Sequence, residues 1–137
     1  MKGVYCDGAD NNFGSSYCVI KSYDEHKVTK TKKMQHHYSS IVMEYLALIE
    51  GLKQACPILK VVYSDCLRVV SEINSNRLPG YSMKYHDLWC NARCIIKQKP
   101  YVIVKWIPRE QNLAGIYLEN NLMAKKQEIY KIITIKK

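Results

Sequence analysis

The chain has 137 residues, of which 47% are hydrophobic, and 21 basic against 12 acidic residues give a formal net charge of +9. This length predicts one domain with a substantial core. No apolar stretch reaches membrane-spanning length and the amino terminus lacks a signal-peptide pattern, so we expect a cytoplasmic protein without a membrane partner. The excess positive charge favours a polyanionic partner, most simply nucleic acid.

The six cysteines are expected to be reduced thiols, because disulfides are rare in the cytoplasm. His86, Cys90 and Cys94 recur every fourth residue on one face of a predicted helix. No fourth ligand accompanies them, so a zinc site is not the favoured interpretation.

The first half of the chain predicts three strands followed by one long helix. The strands are predicted over 3–6, 16–23 and 28–37. Turn-forming residues predict a tight connection over 7–14, and the Lys-rich third strand is typical of a sheet edge. Helical spacing then predicts an apolar helix over 41–55, capped by Ser40 and ended by Pro57.

The second half of the chain alternates between strands and helices. Strands are predicted over 60–64 and 101–106, and helices over 66–74, 85–97 and 113–126. The domain is therefore expected to span 1–126, with 127–137 as a basic tail or an extra strand. The order predicts an α/β fold with a mixed five-stranded sheet, its first three strands antiparallel, flanked by helices.

Three carboxylates interrupt these apolar segments. Asp7 follows the first strand, Glu44 lies among apolar residues in the first turn of the long helix, and Asp65 ends the fourth strand. A buried carboxylate is costly unless a positive charge accompanies it. Carboxylate oxygens are also the ligands that hard divalent cations prefer, so the three predict a cation site.

Four segments in this order resemble type 1 ribonuclease H, in its compact bacterial, archaeal and plant-type branch. They are Asp7-Gly8-Ala9 with Asn12-Phe13-Gly14, Glu44-Tyr45-Leu46-Ala47-Leu48-Ile49-Glu50-Gly51-Leu52, Ser64-Asp65-Cys66, and Ile107-Pro108-Arg109-Glu110-Gln111-Asn112. The resemblance runs from Val4 to about Met123 and implies the ribonuclease H-like fold. It implies a usually monomeric endonuclease that cleaves the RNA strand of RNA–DNA hybrids by a two-metal mechanism with Mg²⁺, or Mn²⁺ in its place.

The resemblance also assigns roles to single residues. Asp7 would bridge two ions, with Glu44 and Asp65 completing the ligand set. Contacts to ribose 2′-hydroxyls or phosphates are implied for Asn12, Gly14, Ser39, Ser40 and Arg109. An ion pair of Arg109 with Glu110 is the alternative for that arginine.

The family's fourth carboxylate, an Asp in the last helix, has no counterpart here. One alignment places Ile116 at that position, and an alignment shifted by one residue places Gly115 there. Glu119 could substitute, because it lies one turn further on and helical side chains lean toward the amino terminus. Asn120 offers a weaker, neutral oxygen ligand.

Three interpretations of this loss remain open. Glu119 replaces the Asp, three carboxylates support a slower or Mn²⁺-favouring enzyme, or the protein only binds nucleic acid. A different nuclease of the same fold, such as an integrase or junction resolvase, is disfavoured because Glu44 lies on the first central helix.

Other residues bear on substrate contact. Lys30, Lys32 and Lys33 on the third strand are available positive charges, although each is typical of a solvated strand. Trp89 and Trp106 are expected in the core rather than on a stacking surface.

Overall fold

The structure is a computed structural model that describes residues 2–75 and 83–121. Its strands are β1 Gly3–Asn11, β2 Gly14–Ser22, β3 Lys27–Lys33, β4 Val61–Ser64 and β5 Ile103–Trp106. Its helices are α1 Ser40–Gln54, α2 Leu67–Asn74, α3 Met83–Gln98 and α4, which begins at residue 113 and continues through 121; a 3₁₀ turn spans Arg109–Gln111. The predicted end of the last helix at 126 and the strand or tail over 127–137 lie outside the described residues.

The five strands form one mixed sheet in the order β3-β2-β1-β4-β5. The β1–β2 and β2–β3 pairs are antiparallel, whereas β4 runs parallel to β1 and β5 runs parallel to β4. Parallel neighbours require crossover connections, which the helices supply. The predicted α/β fold with three antiparallel strands is therefore confirmed.

The sheet separates two hydrophobic clusters, because successive side chains of a strand point to opposite faces. Val4 and Cys6 of β1 belong to the larger cluster, which includes most of the buried face of α1. Tyr5 belongs to the smaller cluster, together with Ala114 and Leu118 of α4. Helices α1 and α4 therefore cover opposite faces of the central strands. Within residues 2–75 and 83–121, no helix is long and apolar enough to cross a bilayer.

Strand β1 is longer than the sequence predicted. We expected 7–14 to be a connection, but β1 continues to Asn11, which pairs with Gly14 across a two-residue turn. Pairing with β2 satisfies the backbone groups of these turn-forming residues, so they remain extended. Gly14 has φ +120°, a conformation that favours glycine. Asp7 therefore lies inside a strand, not at its end.

The start of α1 also differs from the prediction. Ser39, not Ser40, is the cap, and its hydroxyl accepts a hydrogen bond from the Val42 N–H at 3.4 Å. Ser40 is the first helical residue. Glu44 is consequently the fifth residue of the helix, just past its first turn.

Candidate active site

Asp7, Glu44 and Asp65 meet at one point of the fold. One carboxylate oxygen from each lies within 4.8 Å of the others. Asp7 is buried at 8% exposure, and the other two are half-buried. In the described part of the chain, none of the three takes part in an ion pair.

The register of the sheet explains why the two aspartates meet. Strands β1 and β4 are parallel neighbours, and Cys6 pairs with Ser64. Asp7, the next residue of β1, and Asp65, the residue directly after β4, therefore lie at the same level. This adjacency cannot be deduced from their separation in the sequence, but it follows from the parallel pairing.

Gly8 explains why Glu44 joins them. A Cβ atom at Gly8 would lie 2.2 Å from the carbonyl oxygen of Met43, so only glycine lets α1 approach β1 this closely. At this crossing the Gly8 N–H donates to Oε1 of Glu44 at 2.5 Å. The hydrogen bond fixes the Glu44 carboxylate beside Asp7.

Burial and neighbouring charge raise the proton affinity of Asp7 and of Glu44. Burial, followed by the charges of Glu44 and Asp65, raises the pKa of Asp7 to about 9, against a smaller opposite effect of Arg109. Burial also raises the pKa of Glu44 to about 7, although the Gly8 N–H acts in the opposite direction. Such carboxylates gain most from a bound cation, because it removes their mutual repulsion.

A cavity of about 460 Å³ opens onto this cluster. Its lining contains Asp7, Gly8, Ala9, Asp10, Ser40, Ile41, Glu44, Asp65, Cys66 and Arg109. Of the residues predicted to contact nucleic acid, Ser40 and Arg109 therefore face the carboxylates. Within the described residues Arg109 makes no ion pair with Glu110, which leaves its guanidinium available to an anion.

The other predicted nucleic-acid contacts lie away from this lining. Asn12 is exposed in the β1–β2 turn, and Gly14 follows that turn. Ser39 uses its hydroxyl as the α1 cap and lies 3.4 Å from the Tyr85 hydroxyl. The contacts of these three residues with nucleic acid remain predictions.

The structure distinguishes the two alignments of the missing carboxylate. A Cβ atom at Gly115 would lie 3.3 Å from Oδ2 of Asp65 and 3.4 Å from Oδ2 of Asp7. Ile116 is instead 38% exposed. Position 115 therefore faces the cluster, and a glycine stands where any other residue would bring its Cβ into tight contact with the two aspartates.

Glu119 lies four residues after Gly115, hence one turn along the same helical face. It is exposed and lines a second cavity of about 230 Å³ that Asp7 and Arg109 also line. Its carboxylate is not part of the three-residue cluster found among the described residues. Asn120 is exposed. The role of Glu119 as a catalytic metal ligand stays a prediction.

Asn112 is a site residue that the sequence reasoning missed. It is fully buried, and its Nδ2 donates to the Cys6 carbonyl at 2.9 Å and to Oδ2 of Asp65 at 3.0 Å. Its Oδ1 accepts from the Ala114 N–H at 3.2 Å, so it also caps α4. Its place directly before a predicted helix was a signal for the cap but not for the bond to Asp65.

Cys66 and Trp106 border the cluster as well. Burial raises the pKa of the Cys66 thiol to about 11, and this thiol lies in hydrogen-bonding contact with Glu44. The prediction that Trp106 is a core residue is wrong, because its side chain is 43% exposed on the edge strand β5. Its indole N–H donates to the Asp65 carbonyl at 3.1 Å. Trp89, at 9% exposure, is part of the core as predicted.

Comparison with known proteins agrees with this geometry. The model of the reverse transcriptase-like family matches residues 5–121, so the chain belongs to that family. No curated protein matches the chain.

Solved structures share the fold. The N-terminal ribonuclease H domain of a Mycobacterium tuberculosis protein, solved as a fusion with maltose-binding protein, is 20% identical over 93% of this chain and 96% of that one, with a TM-score of 0.68. A ribonuclease H1 isolated from compost by a metagenomic approach is 18% identical over 93% and 99%, with a TM-score of 0.70. Ribonuclease H1 of Halobacterium salinarum is 16% identical over 85% and 92%, with a TM-score of 0.64. The resemblance to compact type 1 ribonuclease H is confirmed.

Proposed function

We propose that this protein is a divalent-cation-dependent endonuclease that hydrolyses the RNA strand of RNA–DNA hybrids. The observation that carries this proposal is the convergence of Asp7, Glu44 and Asp65 within 4.8 Å, without an ion-pair partner in the described residues. Uncompensated carboxylates at this distance oppose folding, which is characteristic of a site built for a ligand.

The donor set fits magnesium or manganese. Both cations prefer oxygen ligands and retain several positions for water and substrate phosphate. Bound divalent cations would activate a water and stabilise the leaving oxygen of the scissile phosphate. The chain's own part is to hold the ligand oxygens in place. The Gly8 N–H orients Glu44, and the Asn112 amide orients Asp65.

Substrate charge and identity have separate support. A formal net charge of +9 favours a polyanion, and Arg109 on the cavity wall can attract its phosphate. A compost ribonuclease H1 that is 17% identical, with a TM-score of 0.64, has been solved in complex with an RNA/DNA hybrid. We therefore expect the hybrid to be the substrate here. That the protein is a cytoplasmic monomer stays a prediction.

The glycine at position 115 favours a second candidate function. With three carboxylates instead of four, the protein would be a catalytically impaired protein that binds hybrids without cutting them. The site would be intact if the Glu119 carboxylate reached the cluster when cations bind, and impaired if it did not. In the first case, replacing Glu119 by Gln would abolish cleavage, whereas unchanged cleavage would rule out its ligand role.

The test is cleavage of an end-labelled RNA–DNA hybrid in Mg²⁺ and, separately, in Mn²⁺. The Asp7→Asn variant, purified in parallel, controls for contaminating nucleases. We expect RNA-strand cleavage by the wild type that disappears in the variant. Binding of the hybrid without cleavage in either cation would instead establish the second candidate, and absence of both binding and cleavage would refute both.

A further inference from the structure

A third cavity, of about 250 Å³, lies between the sheet and α4, and none of the three carboxylates lines it. Ser16 of β2 and Thr31 and Lys33 of β3 line it from the sheet, and Tyr117 and Asn121 line it from α4. Hydroxyl groups, an amide and an ammonium group therefore surround one small space. None of these residues belongs to the metal cluster.

Ser16 has an unmet hydrogen-bonding requirement. The residue is only 8% exposed, and its Oγ is buried with no hydrogen-bond partner in the described part of the structure. An unpaired buried hydroxyl is costly, and native proteins rarely retain one without a water or ligand that pairs with it. The hydroxyl lies just beneath the cavity surface, so an acceptor that enters the cavity pairs with it once the covering side chains shift.

The sheet register places Lys33 beside Ser16 on the same face. Lys33 pairs with Ser16, so its side chain shares the α4 face of the sheet. Lys30 lies on the opposite face, where it forms an ion pair with Glu50. The Lys33 Cε atom is 3.6 Å from the position that a Cβ of Gly14 would occupy, so the lysine stem lies beside the β1–β2 turn. The cavity therefore combines a neutral donor with a positive charge, and both favour an anionic oxygen.

The cavity lies close enough to the three carboxylates for a nucleotide next to the scissile one to reach it. Ser16 pairs with Ala9, which is two residues beyond Asp7 on the adjacent strand. Two strand residues and one strand spacing correspond to about 8 Å between the backbones of Asp7 and Ser16. A polynucleotide phosphate located one or two nucleotides from the cluster could therefore reach this cavity.

We propose that this cavity binds a backbone phosphate of the nucleic acid, outside the scissile position. The proposal rests on the proposed function for its substrate, but the site itself is a separate cavity in which Ser16 and Lys33 supply the hydroxyl and the positive charge. Its contribution is to fix the register of the strand relative to Asp7, Glu44 and Asp65.

The test measures hybrid binding in the absence of divalent cations, where no cleavage occurs. Fluorescence anisotropy would compare the wild type with Lys33→Ala, Ser16→Ala and a matched control, Lys27→Ala. The Lys27→Ala variant removes one positive charge from the opposite end of β3, where Lys27 pairs with Ser22. We expect Lys33→Ala and Ser16→Ala to weaken binding about fivefold or more, and Lys27→Ala less than about twofold.

The salt dependence of hybrid binding is a second test of the contact between Lys33 and a phosphate. Loss of one phosphate contact should reduce the slope of log affinity against log salt by about 0.9 in Lys33→Ala, with little change in Lys27→Ala. Equal effects of the two lysine variants would mean that the strand contributes only diffuse charge, which would overturn the proposal.

The Ser16→Ala variant separates a binding role from a packing role. Removing an unpaired buried hydroxyl should leave the melting temperature unchanged or raise it. We expect that result together with weaker hybrid binding. Wild-type binding by this variant would overturn the proposal, because the hydroxyl would then be only an imperfection of packing.

A titration with inorganic phosphate keeps the site testable if the wild type does not bind hybrid at all, an outcome that would refute the proposed function. Saturable NMR shifts of the Ser16 and Thr31 amides, absent in Lys33→Ala, would retain the cavity as a site for free phosphate. No shifts, in a protein that also fails to bind hybrid, would overturn the inference.

Discussion

Replacing Asp7 by Asn should stabilise the protein when divalent cations are removed. Asn keeps the shape of the side chain but does not ionise. It therefore removes the cost of burying a charge beside Glu44 and Asp65, or of taking up a proton to avoid that charge. Proteins usually lose stability when a buried polar residue is changed. A gain at this position would therefore show that the protein itself does not compensate the Asp7 carboxylate.

The pKa of Asp7 gives the size of the effect. It is raised from 3.8 to about 9, so the folded protein holds this proton more tightly than the unfolded chain does. Stability is therefore lost as the pH rises from about 4 to about 9, and the loss vanishes below this window. At pH 7 the penalty has a ceiling of about 4 kcal/mol. Water in the adjacent cavity reduces it, so we expect a gain of about 1–3 kcal/mol, or about 3–10 °C in melting temperature.

Thermal unfolding in EDTA at pH 5, 7 and 9 measures this difference, which should widen as the pH rises. Asp10→Asn is a control for which we expect the opposite change in stability. Hydrogen bonds from His37 and Ser15 lower the pKa of Asp10, so loss of its charge should destabilise the protein at pH 7. Added Mg²⁺ should raise the melting temperature of the wild type but not that of Asp7→Asn. An Asp7→Asn variant less stable than the wild type at pH 7 in EDTA would refute the reasoning.

Three further predictions concern the surroundings of the cluster. Gly115→Asp should raise cleavage in Mg²⁺ about tenfold or more, whereas Ile116→Asp should not; equal effects in a hybrid cleavage assay would contradict the position assigned to residue 115. Asn112→Ala should lower the free energy of unfolding by about 2–4 kcal/mol in urea and weaken the Mg²⁺ response, because buried partners lose their donor. An unchanged urea unfolding curve for the Asn112→Ala variant would contradict this prediction. Hybrid binding should change the emission of Trp106, and a Trp106→Phe variant, which retains only the buried Trp89, should lose that change.

The sequence was sufficient for the parts of the site that depend on element order. Asp65 directly follows an apolar strand, and a strand end in an α/β sheet is where ligands bind. Glu44 was identified because a charge stands among apolar residues of a helix. These predictions need no knowledge of how distant segments pair.

The features that the sequence did not predict depend on how the strands pair and on how α4 is rotated about its own axis. The residues after Asp7 are turn formers, and only their ladder with β2 keeps them extended. Successive residues of a helix are about 100° apart, so the choice between Gly115 and Ile116 required the actual orientation of α4. Trp106 is exposed because β5 is the sheet edge, which the order of strands along the chain does not reveal.

The glycine at position 115 has a consequence for charge balance. Three ionised carboxylates carry a charge of −3, and two divalent cations would leave the filled site with an excess of one positive charge. The scissile phosphate of a polynucleotide carries one negative charge, so it would complete neutrality. Cations and substrate should then each raise the other's affinity by the same factor, as linkage requires. With a fourth carboxylate the site would be neutral before the substrate arrived. Without that carboxylate, the site would bind cations more weakly on its own. Its cation binding would then depend on whether the substrate is present.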